Sequence, residues 1–445
     1  MGLVTPETIR TLQRKLYTKA KQEPRFRFYA LYDKLYRVDV LDHAYERVRA
    51  NRGAAGIDGL TFEAIEAGEG KARFLADLRE QLRTKTYRVQ AVRRVWIPKG
   101  EGGQRPLGIP TLTDRVVQMA AKLVLEPILE ADFCACSYGF RPQRSAHDAV
   151  DAVAQALQSG HTQVLDADLS KYFDTIPHAK LMATVAERIS DGAVLALIQQ
   201  WLKAAVIEQG PNGTRRSAGG GKGHRRGTPQ GGVISPLLAN RYLHVLDRIW
   251  ERHRLEARYR ARLVRYADDL VICCAGQTET PVRVLRQVLT RLDLSLNETK
   301  TRQVDAQQEA FDFLGFRFQR RCSRRSGKQY THVEPSPRAL QRLKDRVKQL
   351  TARQRTAVPL PQMIGEVNWT VRGWSNYFHH RNCSGVFRKA KMHVEERMRT
   401  QLRRRHKLIG RGSAYRRFPD AVLYGRYGLF KLPTNAPWRT AHALV

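Results

Sequence analysis

Tyr266-Ala267-Asp268-Asp269 stands between two β-prone runs, 262–265 and 270–274, and a further carboxylate lies upstream in Leu165-Asp166-Ala167-Asp168-Leu169. The pattern demands a hairpin whose turn carries two adjacent aspartates, beside a separate strand that ends on a third. Such a set can hold two divalent ions about 3.5 to 4 Å apart, which clamp the attacking and leaving oxygens of a phosphoryl transfer. In a strand expected over 164–169, residues two apart share a face, so Asp166 and Asp168 point together while Leu165, Ala167 and Leu169 face the core. Carboxylates lined up that way repel unless something positive sits among them. Taken by themselves, these carboxylates fit nucleases and polymerases alike.

A chain of 445 residues is long enough for a sizeable core, and domains of about 100 to 200 residues predict two to four of them. Its 42% hydrophobic content is ordinary for a soluble chain, and no apolar run approaches the ~18 residues of a membrane span. The first residues lack the basic and apolar pattern of a secretory signal, so the expected location is the cytoplasm, with no membrane partner. Cys134, Cys136, Cys273, Cys274, Cys322 and Cys383 show no paired C-x-x-C spacing and read as free thiols. The charge is less ordinary. Seventy-eight Lys plus Arg against 42 Asp plus Glu leave +36, an excess that implies a polyanionic partner, with nucleic acid leading over an acidic membrane surface.

Along the chain, residues 6–52 read as helices and a loop, and 51–59 as a turn-rich connector. Alternation over 87–97, the Gly-rich stretch 98–103 and the run 105–109 predict a hairpin. Lys99 and Arg105 near its tip could reach over a triphosphate, or be ordinary surface cations. Helical spacing over 113–129 predicts a helix ending near Pro127, and 237–250 predicts another. Between them, 210–227 reads as a mobile Gly/Arg/Lys loop feeding into Thr228-Pro229-Gln230-Gly231-Gly232. Residues 292–301 and 311–318 read as further β structure, and 320–328 as a polar break. In the helix expected over 338–350, Leu340, Leu343, Val347 and Leu350 form one face, while Arg342, Lys344, Arg346 and Lys348 lie elsewhere and could track a phosphate backbone. In a second helical run, 368–378, Val371, Trp374 and Phe378 share a face that reads as core rather than as base-stacking surface. Residues 381–445 hold 16 Lys plus Arg against 3 Asp plus Glu and make a candidate nucleic-acid surface that includes Arg403, Arg404 and Arg405.

Several ordered blocks now carry a resemblance. Gly56-Ile57-Asp58-Gly59, Ile97-Pro98-Lys99, Arg105-Pro106-Leu107-Gly108-Ile109-Pro110-Thr111, Ser137-Tyr138-Gly139-Phe140-Arg141-Pro142, the stretches 168–173 and 229–240, Tyr266 to Asp269 and Phe313-Leu314-Gly315-Phe316 occur in the order found in group II intron-encoded reverse transcriptases, which also act as maturases. The resemblance implies an α+β right-hand polymerase with fingers, a palm built on an antiparallel sheet, and a following α-helical thumb. The implied domains are 1–85, an N-terminal extension and start of the fingers; 86–325, fingers and palm; 326–405, thumb and maturase; and 406–445, a short basic DNA-binding tail. It implies Asp168, Asp268 and Asp269 as ligands of two Mg²⁺ ions, with Mn²⁺ a possible substitute. It implies Phe173 as the aromatic that blocks a ribose 2′-hydroxyl, although a phenylalanine of the palm core is the alternative. Lys99 and Arg105 match residues that hold the triphosphate, Gln230 a block against nucleotide and template, and Lys300 a lysine after the palm motif, where a plain surface lysine is the competing reading.

Asp166 is expected near the metals without binding them, Asp174 to be structural, and Asp58 to cap its own turn. The implied partners are intron or template RNA, a DNA primer or target DNA, and dNTPs, in a bacterial cytosol and at the nucleoid when acting on DNA. Nothing after Cys383 has the Cys and His spacing of the endonuclease domain many relatives carry, so a class C-like form without DNA nicking is expected. A splicing cofactor with little polymerase activity, and a related enzyme recruited to defence, CRISPR adaptation or DNA repair, are the competing functions. Oligomeric state is not read from the sequence.

Overall fold

The computed structural model describes residues 3–98, 103–210 and 214–437. Among the described residues eleven strands are formed: β1 Val92–Pro98, β2 Gln104–Ile109, β3 Gln163–Ala167, β4 Val206–Gln209, β5 Arg215–Gly219, β6 Ala261–Tyr266, β7 Asp269–Cys274, β8 Arg302–Asp305, β9 Phe311–Phe313, β10 Phe316–Cys322 and β11 Gln329–Pro335. They make three sheets, in the orders β2-β1-β4-β5, β6-β7-β3-β8 and β11-β10-β9. The chain divides into two compact units. One comprises Met1–Ser145, Ala167–Leu270 and Glu279–Thr301, the other Ala146–Asp166, Val271–Thr278 and Arg302–Val445. No described helix is long and apolar enough to cross a membrane.

The first unit is mostly helical around the β2-β1-β4-β5 sheet. β1 and β2 form the expected hairpin, with Ile97 opposite Arg105, and β4 adds parallel to β1. The stretch expected to be a loop at 210–227 contains β5, antiparallel to β4 with Glu208 opposite Arg216. Arg215-Arg216-Ser217-Ala218-Gly219 lacks the β-branched alternation that announces a strand; an opposite-charge cross-strand pair at a sheet edge supplies what propensity does not. The helix Leu112–Glu130 runs on through Pro127 rather than ending there. Proline cannot donate to the carbonyl four residues back, and here that carbonyl, of Leu123, accepts instead from Gln13 Nε2 at 3.0 Å. With the carbonyl satisfied and Leu125, Ile128 and Leu129 fully buried, continuation is favoured.

The hairpin strands around Tyr266 form as expected, although they differ from solvent-edge strands. Leu270, Val271, Ile272, Cys273 and Cys274 are all buried, the continuous apolar run of a strand covered on both faces, and neither cysteine is in a disulfide. Among the buried residues of β6 one is charged. Arg265 is fully buried and forked on Asp247 of the helix Ser235–Arg252, at 2.8 and 2.5 Å, and Asp247 is also fully buried. β3 ends at Ala167 and Asp168 follows it; Leu165, Ala167 and Leu169 are buried while Asp166 and Asp168 are not, the alternation that the sequence predicts. Asp166 stands opposite Arg302 in the β3–β8 ladder.

In the second unit β10 extends to Cys322, into the first residues of the expected polar break 320–328, and the rest of that break is the turn that leads to its partner β11. The helices Pro337–Leu350, Leu360–Phe378 and Ser384–Arg405 pack around Leu343, Val347, Leu350, Val367, Val371, Phe387 and Leu402, with Trp374 and Phe378 against them. The expected faces of the first two helices are therefore the buried ones. Ala414, Phe418, Leu423, Leu429 and Leu432 belong to the same core.

Removing one partner of a buried ion pair leaves an uncompensated charge. Asp247→Asn is therefore expected to lower stability by about 3–5 kcal/mol, read as an earlier urea midpoint at unchanged slope. A loss below ~1 kcal/mol would show that the pair carries little of the fold.

Candidate active site

β6 and β7 are joined by a turn whose first central residue, Ala267, has φ +58°. That conformation suits glycine, and an alanine in it costs on the order of 1–2 kcal/mol. The surroundings hold it there. Arg265 Nη1 donates to the Ala267 carbonyl at 2.9 Å and to Asn240 Oδ1 at 3.0 Å, while Asn240 Nδ2 donates to the Gly139 carbonyl at 2.6 Å. The segment 136–138 runs beside β6, with Arg265 N–H donating to the Cys136 carbonyl and Tyr138 N–H donating to the Arg265 carbonyl, each at 2.8 Å. Gly139 then presses on the turn so closely that a Cβ there would lie 2.4 Å from the Ala267 nitrogen. Two residues on, Arg141 fixes the segment by a fork on Glu130 and by the carbonyls of Cys134 and Ser137, each at 2.6 Å. The Ser137 to Pro142 block thus braces the aspartate turn, a role not read from the sequence. The sequence signal nearest to it is Arg265, a charged residue directly after Leu263 and Val264 and before the aspartate turn.

Asp168 is reached from the other side by 295–301. This stretch was expected to be β structure, and instead wraps Asp168 as a turn. Asn297 N–H donates to the Asp168 carbonyl at 2.8 Å, Asn297 Nδ2 to Asp168 Oδ2 at 3.2 Å, and the Asp168 N–H to Thr301 Oγ1 at 3.4 Å. Lys300 Nζ stands 3.7 Å from the same carboxylate oxygen, with its side chain mostly exposed. Asp268 is close enough to feel Asp168. Burial, then the charge of Asp168, holds the Asp268 carboxyl above its ordinary value. Asp269 opens β7 and is exposed. Among the described residues no three His, Cys, Asp or Glu side chains are gathered tightly enough to hold a metal ion. The donor chemistry nevertheless fits a hard divalent cation. Burial and the neighbouring Asp168 both disfavour the charge of Asp268, a cost that a bound cation would relieve, and carboxylate oxygens are the donors such a cation takes.

Phe173 lies in the short helix Tyr172–Thr175, half-buried, and its carbonyl accepts from the Thr228 N–H at 2.7 Å. Its neighbour Tyr172 is buried and donates to the Ala239 carbonyl at 2.6 Å. Gln230 is half-buried, and its carbonyl accepts from the Gly108 N–H at 2.6 Å. Gly231, with φ +119°, lets the two backbones meet, since a Cβ there would lie 2.4 Å from the Gly108 carbonyl oxygen. Phe173, Gln230 and the β1–β2 hairpin are therefore linked through backbone contacts. Gln230 also lines a cavity of about 130 Å³ with Arg94, Asp174 and Arg226. Arg105 is exposed on β2, and Lys99 lies outside the described residues. Asp58 accepts from the Leu60 N–H at 3.2 Å, the turn-capping role expected of it.

In the second unit Arg342 and Arg346 are exposed on Pro337–Leu350. Arg403 and Arg404 are half-buried in the last turn of Ser384–Arg405, and Arg405 there turns inward to the Val358 carbonyl.

Comparison with known proteins agrees with this order of parts. Residues 97–318 match the family "Reverse transcriptase (RNA-dependent DNA polymerase)", and residues 340–418 match "Group II intron, maturase-specific domain". Protein YkfC of Escherichia coli (strain K12) is 36% identical over 354 residues, covering 71% of this chain and 90% of that protein. The group II intron-encoded protein LtrA of Lactococcus lactis subsp. cremoris is 30% identical over 397 residues, covering 74% of this chain and 64% of LtrA. An uncharacterized 91 kDa protein in the cob intron of Schizosaccharomyces pombe is 25% identical, and the chain spans 51% of its length. With a reverse transcriptase domain ahead of a maturase-specific domain, and the aspartate turn inside the first, the chain belongs to the group II intron-encoded reverse transcriptases.

Proposed function

We propose that this chain copies RNA into DNA from a primer 3′ end, using dNTPs, and that it binds the intron RNA that encodes it to assist splicing and to support retrohoming by target-primed reverse transcription. The observation that carries the polymerase reading is the approach of Asp168 and Asp268 beside a turn held in a costly conformation by Arg265, Asn240 and Gly139. Strain maintained by its surroundings is typical of a working site. Asp168, Asp268 and Asp269 would hold divalent cations, Mg²⁺ with Mn²⁺ as a substitute, which when bound stabilise charge on the phosphate and activate the primer oxygen. Asn297 and Lys300 fix the direction of the Asp168 carboxylate. Phe173, whose backbone is tied to Thr228, would be the ring that blocks a ribose 2′-hydroxyl, and Gln230, bonded through its backbone to Gly108, would face the nucleotide. Arg105 on β2 would contribute positive charge for a triphosphate, and Lys99, which lies outside the described residues, would add to it.

The domain reading keeps fingers and palm over 86–325, thumb and maturase over 326–405, and basic residues beyond. Arg342, Arg346, Arg403 and Arg404 would contact phosphates, with Arg405 setting the end of its helix through Val358. The location that goes with these partners is the cytosol.

Primer extension on an RNA template with Mg²⁺ is expected to fall at least about 100-fold in Asp268→Asn, with template–primer binding retained; normal synthesis by the variant would end the metal assignment. Phe173→Val is expected to raise ribonucleotide incorporation roughly 10- to 100-fold relative to dNTPs, measured by competing the two substrates, and unchanged discrimination would return Phe173 to a packing role. Replacing Arg403 and Arg404 together by Gln is expected to flatten the salt dependence of RNA binding by about 1.5 in log–log slope. An unaltered slope would remove those two contacts.

A further inference from the structure

The helix Leu360–Phe378 buries Met363, Ile364, Val367, Val371 and Ser375 on one side, yet on the other it carries Trp369 with 83% of its surface exposed. An indole so far out of the core of its own helix is not explained by folding. It stands in an open groove of about 860 Å³ whose rim includes Arg346 and Arg372, both exposed. The positions four residues before and after Trp369, its neighbours on the same helix face, are Gly365 and Gly373. Each weakens the helix relative to alanine, and at each nothing lies within 4 Å of where a Cβ would be. Nothing in the chain's own packing requires them, and together they leave both flanks of the indole open along the helix. Glu366, the acid on the rim, is matched by Arg355 at 2.7 Å and so presents little free negative charge. A flat apolar surface, open at its flanks and bordered by guanidinium groups, suits a flat ring joined to anionic links.

We propose that Trp369 is a stacking platform for one unpaired base of a single-stranded RNA segment, with Arg346 and Arg372 meeting the phosphates on either side. The inference rests on the RNA-binding reading above and names a site for it. Stacking of a base on an aromatic ring tolerates any sequence and contributes to affinity without adding a salt-dependent term, whereas the arginine contacts are ionic. A protein face is the other class of occupant for an exposed indole, but it does not call for two guanidinium groups in the same groove as the ring.

The test uses the full-length protein and a single-stranded 12-nucleotide oligouridylate, whose affinity is measured over a range of salt. Trp369→Ala is expected to weaken binding on the order of tenfold with the salt slope unchanged. Trp369→Phe should stay within about threefold of the parent, and Trp369→Leu, apolar but without a ring to stack, should behave like Trp369→Ala. Arg346→Gln with Arg372→Gln should lower the slope by about 1.4. Unchanged affinity in Trp369→Ala overturns the proposal. So does equal weakening by Phe and Ala, and so does a parent protein whose self-association, read by sedimentation, is lost in Trp369→Ala while oligouridylate binding is kept. If the parent protein binds no RNA, the functional reading itself fails. If it binds RNA and Trp369→Ala binds as well, only the stacking site is lost. Equal thermal melting of parent and variants separates these outcomes from misfolding, and the exposure of Trp369 favours that equality.

Discussion

The buried pair of Arg265 and Asp247 is the interaction on which the catalytic geometry depends. Two full charges with no solvent exposure are unfavourable unless their hydrogen-bonding capacity is filled. Here burial works against the Arg265 charge, the Asp247 carboxylate more than offsets it, and the net effect is to raise the arginine's pKa. The remaining donors of the guanidinium go to Asn240 and to the carbonyl of Ala267. The pair is therefore a junction rather than an isolated contact. It joins the helix Ser235–Arg252, strand β6, the Ser137 to Pro142 segment and the aspartate turn, and it holds an alanine in a glycine-like conformation. A hydrophobic replacement could fill the same volume, but it could not grip a carbonyl oxygen. The charge is retained because the turn needs a donor beneath it.

Glycine has a complementary part at this centre. Gly139 against Ala267 and Gly231 against Gly108 are two places where backbones touch with no room for a Cβ. One lies in the Ser-Tyr-Gly-Phe-Arg-Pro block and the other in Pro-Gln-Gly, so each short motif contains both a close approach and the residue that fixes it. In the first the fixing residue is Arg141, in the second the backbone of Gln230. The motifs are better understood as joints of the site than as collections of substrate-touching side chains.

What the sequence discloses and what it conceals follow from the range of the forces involved. The aspartate turn, the β1–β2 hairpin and the helices Ser235–Arg252 and Pro337–Leu350 are legible because alternation, turn chemistry and helical periodicity are local. β5 is not, since its residues are basic or small and become a strand through the partner supplied by β4, and β11 follows a basic run and is set by its pairing with β10. The stretch 292–301 has apolar alternation enough to suggest a strand, but Asn297 turns the chain and its amide goes to Asp168. Pro127 does not stop its helix because Gln13, more than a hundred residues away, takes the carbonyl that proline leaves unpaired. In the site itself the carboxylates can be picked out by type and spacing. Arg265, Asn240 and Asn297 cannot, because their roles depend on contacts that only the folded chain creates.

The carboxy-terminal residues sharpen how the basic excess is used. Read as composition, 406–445 is a charged tail, and a free tail would lose its conformational freedom on meeting a nucleic acid. The fold places Ala414, Phe418, Leu423, Leu429 and Leu432 in one core with the helices Pro337–Leu350, Leu360–Phe378 and Ser384–Arg405. Arg399 is fixed to Asp420 and to the Phe418 carbonyl, and Asn368 ties the Gly428 carbonyl at 2.8 Å and the Phe430 N–H at 2.7 Å. These contacts spend some basic residues on internal structure and present the others from an ordered framework. Order established during folding need not be established again on binding, so positive charge displayed this way holds a polyanion at a smaller entropic cost than the same charge on a flexible tail.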